Sequence, residues 1–492
     1  MVTCRSKYPV YLILMSAIIL LCGGCAPNAA YRTEDKSTDC PADRCTAAVL
    51  EHNPSYDMGF VEFTDRGNVF NRTGLDSVLA YVEQQAATPE GASVVVFIHG
   101  WQHNASPEDS NLQSFRNMLS RAAELNVARQ RRLIGIYIGW RGQSVSIPVA
   151  EFTTYWDRKR TAINVGHGGV TEVMLRLEHS LAQYNTPAGP NHNILTALGH
   201  SFGGAMLLAA VNEVLLDRVV NASPVGHEFC SSNASECSTC VETRTFGHGV
   251  ILLNPAVEAN ELFPLKEVVA SEHCYASTQQ KLLHVVSSEA DAATNIAFRA
   301  GQFVGVSITE SELPLQRTYY GKSVTVNEHD LDTTTIGNYE AFRTGHSVKR
   351  TSSNIADCRV QDEWRNECYI PCKKDAKCLE PDKRSQHIPV GSNEPLHFLY
   401  TDSNFIKSHS DIFNPEVSAY ITSVVMENSY KRIRPLPDGE RNPLLDNVPT
   451  ECLNKEETDF DFPHCFDHYT GLYTQGIPSA PDTARPQSLD SP

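Results

Sequence analysis

Short runs of apolar, largely β-branched residues alternate along this chain with stretches whose apolar positions recur every three or four residues. Val94–Ile98 is a continuous run of the kind that a strand buried on both faces requires, and Leu133–Ile138, Ile194–Leu198, Val250–Leu253, Leu282–Val286 and Pro395–Thr401 read as further strands. Between them, Leu112, Phe115, Met118 and Leu119 fall on one side of a helix, as do Val170, Val173, Met174, Leu177 and Leu181. Ala205–Val214 continues the alternation, and a last helix starts at Asn414-Pro415-Glu416, a capping residue followed by proline in the first turn. Strands that alternate with helices build right-handed βαβ units, so the pattern predicts an α/β fold with a mostly parallel central sheet flanked by helices.

Ahead of this series, Gly59–Phe63 reads as a strand, Asp65-Arg66-Gly67-Asn68 as a turn and Val69-Phe70 as its return, giving a hairpin. Leu75, Val78, Leu79 and Val82 then predict a helix. The main domain is expected over residues 56–428. Two stretches, about 221–246 and 296–394, break the alternation and carry cysteines, so they read as insertions. Residues 26–55 are polar and read as a tether, and 429–492 as a tail rich in proline, aspartate and asparagine.

The formal charge of −17 is spread over 492 residues without a long basic block, which argues against a nucleic-acid partner. At the N-terminus, Arg5 and Lys7 precede the apolar run Val10–Leu21, which ends in Cys22-Gly23-Gly24-Cys25-Ala26. This is the layout of a signal peptide over residues 1–25. It resembles a bacterial lipobox, with Cys25 as the lipid-attachment residue, although Cys22 stands where a large aliphatic residue is expected. The resemblance implies an exported protein held at the cell envelope by a lipid, on the outer membrane or the periplasmic side. An ordinary cleaved signal and an uncleaved anchor are the alternatives. Of fifteen cysteines, Cys4, Cys22 and Cys25 lie in this segment, and the remaining twelve form an even set, as disulfides in an exported chain would. Their clustering suggests local staples at 40/45, within 230–240, within 358–378 and at 452/465. A zinc site built on Cys237-x-x-Cys240 is the rival reading.

Chemistry concentrates at Gly199-His200-Ser201-Phe202-Gly203, a G-x-S-x-G pattern that directly follows the apolar run Ile194–Leu198 and opens a helix. That is the context of a nucleophile elbow, where a sharp strand-to-helix turn lifts a serine out of the backbone. Two strand runs earlier stands Phe97-Ile98-His99-Gly100-Trp101. Together these motifs resemble the α/β-hydrolase superfamily, in its exported esterase or lipase-like form, over roughly residues 56–428 apart from the insertions.

The resemblance implies Ser201 as nucleophile, with backbone N–H groups of Trp101 and Phe202 as the oxyanion donors. Gln102 is the alternative first donor, and His99 would orient the loop while His103 is an ordinary loop histidine. The superfamily order is serine, then acid, then histidine. The acid is expected in the loop after Leu282–Val286, where Asp291 is favoured over Glu289; Glu258 is a third candidate. The base is expected at His409, between the last strand and the last helix, with His346 as rival; His284 and His397 read as packed strand histidines. Such a Ser201–Asp291–His409 triad would cleave carboxylic esters of small-molecule or lipid type through an acyl-enzyme, and calls on no metal or organic cofactor. Amide or thioester hydrolysis uses the same residues. A binding lipoprotein that keeps the fold without turnover is the reading from another class.

Overall fold

The computed structural model describes residues 29–34, 46–124, 131–143, 155–185, 193–225, 240–271, 274–276, 278–299, 314–319, 322–343, 348–351, 360–362, 367–371, 393–418, 420–421 and 424. The expected signal peptide, the lipobox and the C-terminal tail lie outside them. Among the described residues no helix is long and apolar enough to cross a membrane.

The apolar runs all enter one sheet. In chain order the elements are β1 (Leu50–His52), β2 (Asp57–Phe63), α1 (Arg72–Ala86), β3 (Ala92–Ile98), α2 (Ser110–Glu124), β4 (Arg132–Trp140), α3 (Tyr155–Val165), α4 (Thr171–Ala182), β5 (Ile194–His200), α5 (Phe202–Val220), β6 (Ser223–Val225), β7 (Cys240–Glu242), β8 (Gly249–Leu253), α6 (Ala259–Ser271), β9 (Leu283–Ser288), β10 (Pro314–Tyr319), β11 (Lys322–Asn327), α7 (Glu328–Thr333), β12 (Val348–Thr351), β13 (Val360–Asp362), β14 (Glu367–Pro371) and β15 (Leu396–Thr401). The main sheet has eight strands in the order β1-β2-β4-β3-β5-β8-β9-β15. Among the described residues of this sheet only the edge pair β1/β2 is antiparallel. The chain is therefore α/β, with a mostly parallel sheet and helices on both faces.

Alternation along each strand feeds two cores, which explains why the strand runs are continuously apolar. Val94, Val96 and Ile98 face α1, α4 and α5 in one core. Phe97, Tyr137 and Leu198 face α2 and the last helix in the other, where Leu112, Phe115, Val417 and Tyr420 meet them. The last helix begins after Asn414, whose side chain accepts the N–H of Val417 at 2.8 Å.

Several expectations are corrected. Val69 makes a single antiparallel bridge to Phe63 rather than a return strand; β4 lines one edge of β2 over its whole length, and β1 takes the other edge at Asp57–Gly59. The expected tether is packed where it is described. Its β1 edges the sheet, and Arg32, only 1 % exposed, lies over the Phe60 ring and pairs with Glu51, which also takes Arg116. Glu62 accepts the backbone N–H groups of Tyr31 and Arg32. A buried carboxylate needs such donors, and they fasten the N-terminal segment beside the loop after β3.

The second insertion is likewise partly core. Val324, Val326, Leu331, Ile336 and Phe342 join the larger apolar cluster, and Ile336 N–H donates to Val257 O at 3.0 Å. In the first insertion, Cys240 lies against Cys274, with both side chains buried and their Sγ atoms 3.3 Å apart, while Cys230 and Cys237 fall outside the described residues. Backbone pairing sets this approach, since Val241 N–H donates to Cys274 O. The side chains of the other cysteines fall outside the described residues.

Candidate active site

The carboxyl ends of β3, β5, β8 and β9 meet at one edge of the sheet, and the polar residues converge there. β5 ends at His200, and Ser201 follows with φ 55° and ψ −121° before α5 begins at Phe202. A serine with positive φ is strained and persists only where its surroundings fix it. Here its N–H donates to Leu253 O at 3.2 Å, and its carbonyl accepts from Gly204, Ala205 and Ala256. The turn also demands a bare backbone two residues later, since a Cβ on Gly203 would lie 2.1 Å from Ile98 O.

His409 reaches this serine from the loop between β15 and the last helix. Its Nε2 lies 2.9 Å from Ser201 Oγ, and its Nδ1 lies 2.9 Å from Asp291 Oδ2. With Nδ1–H donating to the carboxylate, Nε2 is the free acceptor for the serine hydroxyl proton. Asp291 has no solvent exposure, and burial alone would raise its pKa. Hydrogen bonds from His409 and from the side chain and N–H of Thr294 more than offset burial and hold the carboxyl below its usual range. The Thr294 hydroxyl donates to Asp291 Oδ2 at 2.6 Å, and Thr294 Oγ1 accepts from Asn338 Nδ2 at 3.2 Å.

The other acidic candidates are engaged elsewhere. Glu289 is exposed and accepts the Ser403 N–H, while Glu258 forms an ion pair with the buried Lys159. His284 bonds Tyr420 on the sheet, far along β9 from Ser288, and His346 lies outside the described residues.

The loop after β3 forms the facing wall. Gly100 backs directly on Ser201, because a Cβ there would come within 2.9 Å of Ser201 Cβ. The Gln102 N–H, the alternative first donor, donates to Gly142 O at 3.2 Å. Phe202 opens α5, so its N–H is among the helix's first donors and has no intrahelical acceptor. The Tyr155 ring packs on both Trp101 and Phe202, with centroids 5.5 and 4.8 Å away. His99 is fully buried between Tyr137 and Trp140, and burial brings its pKa down to about 4. As a neutral ring it donates through Nδ1–H to Gly100 O at 2.9 Å, and Nε2 accepts the Trp140 N–H at 3.2 Å. His103 is held between Asp109 and Asn111, away from the serine.

Sequence reading missed Thr294, Asn338, Tyr155 and the partners of the His409 backbone. Thr294 had a faint signal, since an aspartate followed three residues later by threonine is a local turn pattern. Comparison with family models, with curated proteins and with solved structures finds no match for this chain.

Proposed function

We propose that this chain is a serine hydrolase of the α/β-hydrolase kind that cleaves carboxylic esters. The observation that carries the reading is His409 bridging Ser201 Oγ and a buried carboxylate, at 2.9 Å on each side, at the end of a parallel sheet. The strained serine at a strand-to-helix turn supports the same reading.

In the proposed reaction, His409 Nε2 takes the Ser201 hydroxyl proton as Oγ attacks the ester carbonyl. The oxyanion forms beside the N–H groups of Trp101 and Phe202, while Asp291 steadies the imidazolium through Nδ1–H. The imidazolium returns its proton to the leaving alcohol as the ester C–O bond breaks, which leaves acyl-Ser201. Water then loses a proton to His409, attacks the acyl carbon and releases the acid with Ser201 restored. Such a triad would attack small-molecule and lipid esters alike. The test is labelling of the full chain by a fluorophosphonate together with hydrolysis of short acyl nitrophenyl esters. Both are expected in the wild type and absent in Ser201→Ala, and a Ser201→Ala variant with full activity would overturn the assignment.

The N-terminal sequence supports a further part of the reading, export and lipid attachment at Cys25, with Cys240 and Cys274 closed as a disulfide in an oxidising compartment. Metabolic labelling with an alkynyl fatty acid is expected to mark the wild type and to miss Cys25→Ser. Equal labelling of both would remove the lipoprotein reading.

A further inference from the structure

His409 sits on a loop, not on a strand or helix, yet its imidazole must hold two hydrogen bonds at once. What holds the loop is visible at its carbonyl groups. His409 O accepts from His200 Nε2 at 2.9 Å and from Asn254 Nδ2 at 3.0 Å. Three residues earlier, Ile406 O accepts from the Ser288 hydroxyl at 2.7 Å. The three donors stand at the ends of β5, β8 and β9, the strands that carry the nucleophile and the acid.

We propose that His200 and Asn254 are positioning residues that clamp the carbonyl of His409, so that its ring spans Ser201 and Asp291. The inference rests on the hydrolase reading above and assigns these two residues a task within it. Asn254 is built for it. Its φ of 43° turns the chain sharply at the end of β8, its N–H donates to Val286 O at 2.8 Å, and its Oδ1 accepts the Ser288 N–H at 3.1 Å. The amide orientation is thereby set, with Nδ2 facing His409.

His200 is fixed in one tautomer, since Nε2 faces a carbonyl oxygen and must carry the hydrogen. Its Nδ1 is buried with no partner among the described residues, against the wall formed by Gly100. Burial keeps this imidazole neutral, with its pKa well below the usual histidine value; His409, His103 and Asp291 are the titratable groups that act on it. Neutrality suits its place. The His200 and His409 rings are 4.8 Å apart, and a second positive charge there would oppose the imidazolium that forms when His409 takes the serine proton.

The test uses the full chain, a soluble nitrophenyl ester and four variants followed by kcat, KM, thermal midpoint and fluorophosphonate labelling against pH. Asn254→Asp keeps the acceptor for Ser288 N–H and replaces the donor to His409 O with a carboxylate oxygen. His200→Leu removes the other donor, and His200→Gln restores an N–H at a similar reach. A loop displaced by a fraction of an ångström is expected to lower kcat by about tenfold or more in Asn254→Asp and His200→Leu, with KM little changed. His200→Gln is expected to recover most of that loss. Asn254→Asp adds a negative charge beside His409, so the acidic limb of its kcat/KM profile is expected to move to higher pH. Ser288→Ala, which releases Ile406 O, is expected to lower kcat in the same way. Wild-type kcat in folded Asn254→Asp and His200→Leu would overturn the clamp, as would His200→Gln performing no better than His200→Leu. If His200→Leu fails to fold, the near-isosteric Asn254→Asp decides alone. A wild type that neither labels nor hydrolyses any ester sinks the hydrolase reading and the clamp with it, whereas an active wild type with unaffected variants sinks the clamp only.

Discussion

His409 Nε2 and Ser201 Oγ are 2.9 Å apart although 208 residues separate them in the chain. The contact exists because β5 and β15 belong to the same sheet and both run their carboxyl ends to one edge. Its companion, Asp291, arrives at that edge from β9, the strand that pairs in parallel with β15.

Asp291→Asn is expected to lower kcat by about three to four orders of magnitude, because the amide leaves His409 in the wrong tautomer and its cation unpaired. Glu289→Gln is expected to stay near wild type, since that carboxylate is exposed and faces Ser403. Steady-state kinetics on a soluble ester separate the two. The reverse ranking would move the acid to Glu289.

Thr294→Val removes the hydroxyl that Asp291 Oδ2 accepts at 2.6 Å and leaves Asn338 Nδ2 without that acceptor. A hydrogen bond to a buried charge contributes about 1.5–3 kcal/mol, so the thermal midpoint should fall and kcat should drop by about tenfold. Thr294→Ser is expected to recover both. Unchanged melting and kcat in Thr294→Val would show that the hydroxyl is dispensable.

Gly203→Ala would force a Cβ to within 2.1 Å of Ile98 O, and backbone on both sides leaves no flexible side chain to yield. Strain of this kind costs about 1–3 kcal/mol or more and should also shift Ser201 relative to His409. Chemical denaturation and fluorophosphonate labelling are both expected to decline. A Gly203→Ala protein with wild-type stability would contradict the packing described at the elbow.

Acid should weaken the fold before it protonates most carboxylates. His99 has an ordinary value of 6.5 and is held down to about 4 by burial, and His200 is depressed in the same direction. Between these limits the unfolded chain binds more protons than the folded one, so stability falls as pH drops from about 6.5 toward 4. The His99 shift alone corresponds to about 3 kcal/mol once pH lies below both values. Asp291, held below its usual range, contributes stability above the unfolded carboxylate value that is lost as pH falls through its own depressed pKa. Urea midpoints measured between about pH 7 and 5 should decline, and a flat profile would contradict the neutral burial of both imidazoles.

Much of the scaffold is legible in the residues themselves. Runs such as Val94–Ile98 and Leu133–Ile138 are apolar on both faces because both faces are covered, and that requirement leaves a local trace. The elements that escaped notice lack such a trace. Pro264 interrupts the sequence pattern of α6, and α3 carries Asp157, Arg158, Lys159 and Arg160 in a row. Arg32 is the extreme case, a residue of the expected tether that is buried where Glu51 and Glu62 accept its donors.

By itself the sequence determined the strand runs, the Gly199–Gly203 turn and the order in which serine, acid and histidine follow one another. Those properties depend on near neighbours in the chain, through side-chain alternation and backbone sterics. Only the tertiary structure decided that Asp291 rather than Glu289 faces His409, and that His200 and Asn254 hold its carbonyl. It also decided that the N-terminal segment docks beside the loop after β3. Each of these is a contact between groups brought together by strand order and paired through space, and nothing local in the chain encodes which donor will meet which acceptor.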